Sequence, residues 1–178
     1  MGEPILSQVG LAVIKVRIDG RPFYLMRKNP SWGDVSFVGG HLNERDDGIL
    51  KRAAYRELLE EVPSLRKARG LKLNALTPQL HHGPVYSPSA KSVKVYDFQF
   101  FLVLFTHNPE RALHAISERS LNLLVGEREL LEPNHCKVAA LVGILDSEYA
   151  GGLQAIPYSW PAEVKSLGDR IAQTTFAF

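Results

Sequence analysis

The chain has 178 residues, a length that suits one domain with a full hydrophobic core. Hydrophobic residues make up 45% of the sequence and charged residues 22%, which is an ordinary soluble globular composition. The net charge of +2 is too small to indicate a nucleic-acid partner, and no apolar run approaches the ~20 residues that a membrane span needs.

The amino terminus and the cysteine content predict a cytoplasmic protein. The first residues lack the basic and then apolar layout of a signal peptide. Cys136 is the only cysteine, so no internal disulfide can form, which agrees with a reducing compartment. A zinc site built from cysteines, or from cysteines and histidines, is not expected.

The first third of the chain predicts strands. Residues 9–18 are nearly all apolar and predict a buried strand that turns polar at its end. Residues 19–22 carry a turn signal, so residues 23–27 predict the second strand of a hairpin. A short strand over residues 35–38 then enters the pair Gly39-Gly40.

A helix is predicted over residues 48–62. Asp46 or Asp47 is expected to cap its amino end, and Pro63 is expected to end it. The acidic residues lie mostly beside the apolar stripe, so the helix can pack on a sheet while its carboxylates face a cleft. The apolar stripe consists of Leu50, Ala54, Leu58 and Val62.

The rest of the chain predicts further strands and then helices. The sequence shows no repeat and no long linker, so we expect a single domain over residues 1–178, with a carboxyl-terminal extension from about residue 150 packed on it. This order of elements predicts an α/β protein with a mixed sheet. Strands are expected over residues 71–80, 93–105 and 121–125, loops over 81–88 and 151–157, and helical segments over 127–131, 134–145 and 161–174.

The predicted helix carries three carboxylates near its end. Glu60 and Glu61 follow Glu57 by three and four residues, a spacing that places side chains on one helix face. Like charges repel, so this cluster is costly unless it is solvated or bound to a cation. Mg²⁺ is usually held by a few carboxylates together with substrate phosphates. A solvated helix face is the simpler alternative.

The segment over residues 39–62, GGHLNERDDGILKRAAYRELLEEV, resembles the Nudix box of the Nudix hydrolases. The box reads Gly, five residues, Glu, seven residues, then Arg-Glu-aliphatic-any-Glu-Glu-any-Gly-aliphatic. The preceding Ala53-Ala54 and the upstream Gly39-Gly40 are also typical of the family. Five residues of the second half fall in register: Arg56, Glu57, Leu58, Glu60 and Glu61.

Two features depart from the box. The distance from Gly40 to Arg56 is two residues longer than in the family, which places Gly48 where the first Glu belongs. The glycine after the Glu pair is also missing, because Pro63 follows Val62. Three acids of the inserted loop are candidates to replace the first Glu, with simple solvation of the loop as the alternative: Glu44, Asp46 and Asp47.

The resemblance implies a Nudix-like α/β/α sandwich, with a mixed β-sheet between helices. It also implies a divalent-metal-dependent hydrolase that cleaves a pyrophosphate linkage in a nucleoside diphosphate linked to another moiety. The cofactor would be Mg²⁺ or Mn²⁺, held by Glu60 and Glu61, with Glu57 as a further ligand or as a carboxylate beside the ligands. Arg56 would position a glutamate through a charge-assisted hydrogen bond.

Several residues outside the acidic cluster are further candidates. Gly39 and Gly40 are candidate substrate-binding residues, and glycine permits a close approach of the chain in either case. Glu118, which follows the long predicted strand, is a candidate general base, with a surface charge as the alternative. Four more side chains could contact phosphate, metal or a nucleobase, and ordinary strand or core positions are the alternative: His81, His82, Trp32 and Tyr86.

Two other functions stay open. A Nudix-like nucleotide-binding or regulatory domain without turnover is favoured by the altered first half of the box, whereas the intact acidic half favours the enzyme. An ordinary interaction domain predicts no Mg²⁺ or Mn²⁺ binding that depends on Glu60 and Glu61. The expected partner is a small molecule of the nucleoside-diphosphate type, and a homodimer stays open.

Overall fold

The computed structural model describes residues 3–18, 21–28, 35–87, 90–107, 122–126 and 156–157. These residues form a mixed sheet with one α-helix, α1, at Leu50–Glu61, which lies between 3-10 turns at Glu44–Asp46 and Pro63–Lys67. The strands are β1 (Ile5–Val13), β2 (Lys15–Ile18), β3 (Arg21–Lys28), β4 (Val35–His41), β5 (Leu71–Ala75), β6 (Leu80–Ser87), β7 (Ser92–Phe105), β8 (Asn122–Gly126) and β9 (Ile156–Pro157).

Strand β1 is at the centre of the sheet. The strand order is β5-β7-β1-β4-β3-β2-β9, with β6 beside β7 and β8 beside β3. Strand β1 runs parallel to β7 and antiparallel to β4, so that Leu11 lies opposite Phe100 on one side and Gly39 on the other. Consecutive residues Ala12 and Val13 point to opposite faces, and both are fully buried. The predicted α/β fold class with a mixed sheet is confirmed, and the described residues include the helix on one of its faces.

Helix α1 packs closely on the middle of this sheet. Its predicted apolar stripe is buried, together with Ala53. The helix approaches the backbone of β1 at Gly10, where a Cβ atom would overlap the carbonyl oxygen of Leu50 and lie 2.8 Å from the amide nitrogen of Ala54. The absence of a side chain at Gly10 therefore sets the depth at which α1 rests on the sheet.

An aromatic cluster fills the opposite face of the sheet. Val38 packs with α1, so its neighbour Phe37 points to the other face. Phe37 meets the edges of Tyr24 and Phe100 at ring-centroid distances of 5.9 and 5.5 Å. Phe98 meets Phe100 in the same way at 5.7 Å. Edge-to-face packing of this kind suits aromatic rings in a core.

The long strand β7 explains two corrections to the predicted elements. The strand predicted over residues 71–80 is two strands, β5 and β6, and the loop predicted over residues 81–88 belongs mostly to β6. Strand β5 pairs with the second half of β7, and β6 pairs with the first half. Because β7 has 14 residues, two shorter strands can share one of its sides.

Other boundaries also differ from the prediction. The apolar stretch 9–18 contributes to two strands, β1 and β2, which are separated at Ile14. Strand β4 continues through the glycine pair to His41, and β9 falls where a loop was predicted. The predicted helical segments 127–131, 134–145 and 161–174 lie outside the described residues, as do Cys136 and all but two residues of the carboxyl-terminal extension.

The prediction that Asp46 or Asp47 caps the helix is wrong. The N-cap position is Ile49, which makes no side-chain cap, and the helix begins at Leu50. Asp46 instead completes a capping box in the preceding 3-10 turn, where its carboxylate accepts a hydrogen bond from the backbone amide of Asn43 at 3.0 Å. No helix among the described residues is both long enough and apolar enough to span a bilayer.

We expect Gly10→Ala to lower the free energy of unfolding by about 3 kcal/mol, because the new methyl group must push α1 away from the β1 backbone. The measurement is urea unfolding of each purified variant. Gly48→Ala is the matched control, since Gly48 has φ +74° and no neighbour within 4 Å. Backbone strain alone should cost it about 1 kcal/mol. Equal losses in the two variants would contradict the close approach.

Candidate active site

The three carboxylates of α1 lie over the end of β4 with different exposures. The side chains of Glu57 and Glu61 are 19% and 10% exposed, whereas that of Glu60 is 50% exposed. Glu57 lies against Gly40, where a Cβ atom would overlap its carboxyl group and approach its Cγ to 2.7 Å. The backbone amide of Gly39 donates to Glu61 Oε2 at 3.1 Å. Each glycine of the pair therefore contacts one of the carboxylates, in addition to its pairing with β1.

Arg56 is held by Asp46. Its Nε and Nη2 atoms donate to the two carboxylate oxygens of Asp46 at 3.1 and 2.9 Å, in a bidentate pair. Asp46 is only 2% exposed, and this hydrogen bonding to Arg56 holds the pKa of its carboxyl group below its usual range. Among the three acids that the sequence left open, Asp46 is the one that contacts Arg56. Glu44 is exposed, and Asp47 pairs with Arg52 at the surface.

Arg56 also contacts the acidic cluster of α1. Its Nη1 atom donates to Glu57 Oε1 at 2.6 Å and lies 3.6 Å from Glu60 Oε2. Its Nη2 atom also donates to the backbone carbonyl of His41 at 3.0 Å. One guanidinium group therefore connects the inserted loop, the end of β4 and two of the three carboxylates.

Glu61 is paired with a cation from another strand. Arg27 Nη1, on β3, lies 2.8 Å from Glu61 Oε1. Burial raises the pKa of Glu61 to about 7, although Arg27 and the Gly39 amide oppose this rise. The carboxyl group of Glu61 therefore changes charge near neutral pH.

Asn122 completes the end of the site and was not predicted from the sequence. It lies opposite Arg27 in the pairing of β8 with β3, and its Nδ2 atom donates to the backbone carbonyl of Glu61 at 2.7 Å. Its Oδ1 atom is buried, and no described residue hydrogen-bonds to it. The sequence could have indicated Arg27 as a residue of this site, because alternation along β3 places Arg27 on the same face as Phe23 and Leu25.

The other predicted candidates lie elsewhere or outside the described residues. His81 Nδ1 lies 2.7 Å from Asp97 Oδ1, and Tyr86 is 61% exposed. Both residues belong to β6, which is separated from β4 by β7 and β1. At a strand spacing of about 4.8 Å, this places β6 well away from the glycine pair. Glu118 and Trp32 lie outside the described residues.

The folded chain is similar to solved structures with a Nudix domain. The crystal structure of Shewanella oneidensis NrtR matches 81% of this chain and 65% of its own, with a TM-score of 0.54 and 17% identity. The complex of that protein with a 27mer DNA matches 93% of this chain and 82% of its own, with a TM-score of 0.51 and 16% identity. The NrtR NUDIX domain complexed with ADP ribose matches 81% of this chain and 89% of its own, with a TM-score of 0.48 and 16% identity.

The chain has the Nudix fold. No family model matches it, and no curated protein matches its sequence. The chain spans 65% of the length of the NrtR chain in the first of these structures. At these identities the likeness concerns the Nudix fold, and the chemistry has to be argued from the residues of this chain.

The donor set has the chemistry, although not the spacing, that suits the divalent cation implied by a Nudix fold. Four carboxylates share two guanidinium groups, so the site has an excess of two negative charges when every carboxylate is ionised. Oxygen donors with excess negative charge suit Mg²⁺ or Mn²⁺. Within the described part of the chain, however, no three Asp, Glu, His or Cys side chains are gathered closely enough to hold a metal ion. The side chains of Arg27 and Arg56 pair with the carboxylates instead.

Asp46→Asn should lower the free energy of unfolding by about 3 kcal/mol, because it leaves Arg56 without its buried partner. Asp47→Asn is the control, since it removes an exposed ion pair with Arg52 and should cost less than about 1 kcal/mol. Both values come from urea unfolding at neutral pH. A small loss at Asp46, similar to the loss at Asp47, would show that the buried pair contributes little.

The raised pKa of Glu61 predicts a pH dependence of stability. Between the ordinary value of 4.5 and about 7, the folded protein binds more protons at Glu61 than the unfolded chain does. The wild type should therefore lose stability relative to Glu61→Gln as the pH rises through this range. The difference in the free energy of unfolding between the two proteins should change by up to about 1.4 kcal/mol per pH unit. Urea unfolding of both proteins at pH 5 and pH 7 measures it, and a constant difference between them would exclude the raised pKa.

Proposed function

We propose that the protein is a divalent-metal-dependent hydrolase that cleaves a pyrophosphate linkage in a nucleoside diphosphate linked to another moiety. The observation that carries this proposal is the burial of Glu61 beside two further carboxylates on the face of α1 that lies over β4. A solvated helix face has no need to bury a carboxylate, and burying a charge is costly unless it is compensated. An ordinary interaction domain gives no reason for this burial.

The residues of the site take distinct roles under this proposal. Glu57, Glu60 and Glu61 would hold the metal, which when bound neutralises the charge of the diphosphate and lowers the pKa of a water molecule. Asp46 orients Arg56, and Arg56 holds Glu57 at 2.6 Å. The Gly39 amide orients Glu61. The half-exposed Glu60 is the carboxylate most open to an arriving ion or ligand.

A second function, nucleotide binding without turnover, is favoured by the arginine contacts. Arg27 pairs with Glu61 and Arg56 pairs with Glu57, so two carboxylates have protein cations as partners. Such a site could bind a nucleotide without a metal, because a guanidinium group also recognises phosphate. The two functions differ in one property, which is turnover that depends on a divalent metal.

The test is hydrolysis of a panel with and without Mg²⁺ or Mn²⁺. The panel contains ADP-ribose, a dinucleoside polyphosphate, NADH, a nucleotide sugar and an oxidised nucleotide. We expect metal-dependent cleavage of at least one compound and a loss of at least about 100-fold in kcat for Glu60→Gln, the size of effect seen when a catalytic electrostatic partner is removed. Glu3→Gln, at an exposed residue before β1, is the matched control and should keep full activity.

The products and the binding data separate the two functions. Release of a nucleoside monophosphate with a phosphorylated second product establishes cleavage of the pyrophosphate linkage. Nucleotide binding measured by calorimetry, without turnover of any compound in the panel, would replace the hydrolase with the binding domain. Cleavage that is unchanged in Glu60→Gln would place the chemistry elsewhere in the molecule.

A further inference from the structure

The cation that contacts Glu61 comes from outside the acidic segment. Arg27 lies on β3, on the face of the sheet that α1 covers, and its side chain is 31% exposed. It reaches Glu61 Oε1 at 2.8 Å, while Oε2 of the same carboxylate accepts from the Gly39 amide at 3.1 Å. Both oxygens of Glu61 are therefore engaged by the protein itself.

A neighbouring side chain fixes the backbone at the same place. Asn122 lies opposite Arg27 in the sheet and holds the Glu61 carbonyl through its Nδ2 atom at 2.7 Å. Asn122 is 3% exposed, and its Oδ1 atom has no hydrogen-bond partner among the described residues. Asn122 therefore fixes the backbone of Glu61 beside the contact of its side chain with Arg27.

These contacts have a direct consequence for cation binding. A guanidinium group stays charged at any pH that a folded protein tolerates, so Arg27 cannot leave Glu61 by losing a proton. Each carboxylate oxygen has a second lone pair, so a divalent cation that takes Glu61 as a ligand must share that carboxylate with Arg27 or displace Arg27. It must also tolerate a positive charge beside it.

We propose that Arg27 is the internal counterion of Glu61 and competes with the divalent cation for this carboxylate. This inference rests on the proposed function, because it concerns the metal of that same site. Arg27 is a positioning residue here: it holds Glu61 in a closed, ion-paired arrangement in the absence of metal. The affinity of the site for metal is consequently lower than its three carboxylates alone would give.

The experiment measures Mn²⁺ binding directly, by the electron paramagnetic resonance signal of free Mn²⁺, in the full chain without nucleotide. Arg27→Gln should bind Mn²⁺ on the order of tenfold more tightly than the wild type, since removal of one neighbouring positive charge favours a cation. Arg27→Lys retains the charge and should stay within about threefold of the wild type.

Arg21→Gln is the matched control. It removes the same charge from the opposite end of the same strand, where Arg21 is exposed. Six residues of strand span about 20 Å, which exceeds the screening length of about 8 Å at physiological salt. Its Mn²⁺ affinity should equal that of the wild type, so a general effect of net charge would be visible as an equal gain in both glutamine variants.

A double-mutant cycle ties the effect to the contact itself. In a Glu61→Gln background, Arg27→Gln should no longer tighten Mn²⁺ binding, because the carboxylate for which the two cations compete is absent. The thermal unfolding midpoint of each variant confirms that the compared proteins are folded. If Arg27→Gln still tightened Mn²⁺ binding in the Glu61→Gln background, the proposed competition would be overturned.

The outcomes separate this inference from the hydrolase. Equal or weaker Mn²⁺ binding by Arg27→Gln overturns the inference, and metal-dependent cleavage of the panel would then leave the hydrolase standing. Tighter binding by Arg27→Gln without cleavage of any compound supports the inference and removes the hydrolase. A failure of every protein in the set to bind Mn²⁺ overturns the inference outright.

Discussion

The close approach of α1 to the strand backbones is the constraint on which the rest of the structure depends. Gly10 brings the helix backbone against β1, and Gly40 gives Glu57 the space that a side chain on β4 would fill. With larger residues at these positions, the helix would sit further from the sheet. Its carboxylates would then face solvent, and the chain would have an ordinary amphipathic helix instead of a site.

Burial has an electrostatic cost that the arginines offset. A carboxylate taken out of water needs hydrogen bonds and opposite charge. Asp46 and Glu57 share Arg56, whereas Glu61 has Arg27 and one backbone amide. The compensation is complete for Asp46, whose pKa is lowered, and incomplete for Glu61, whose pKa is raised to about 7. The same imbalance makes the carboxyl end of α1 the place where a further cation is most favourable.

The inserted loop supplies Arg56 with an acidic partner. Arg56 needs an acidic partner in front of the helix. The family spacing assigns that partner to position 48, where this chain has a glycine. The 3-10 turn at Glu44–Asp46 absorbs the extra residues and turns Asp46 inward, where it meets Arg56. The fold is shared with NrtR, but a fold by itself does not decide between hydrolysis and binding.

The sequence by itself determined the strongest local signals of this protein. Apolar patterning predicted β7 and the buried stripe of α1 closely, because a long run of one period has only one way to be buried. The spacing of Glu57, Glu60 and Glu61 placed them on one helix face for the same geometric reason. The order of strands and helices along the chain predicted the mixed α/β fold, and the resemblance of the motif implied the same class.

Only the tertiary structure decided which partners those residues meet. Arg27 and Asn122 lie 34 and 61 positions away from Glu61; strand pairing brings these two residues together, and the packing of α1 on the sheet brings Glu61 to them. The choice of Asp46 over Glu44 and Asp47 depends on a 3-10 turn whose capping box is only one of several local options for such a loop. Local patterns determine which elements form, whereas contacts between distant segments depend on how the whole chain packs.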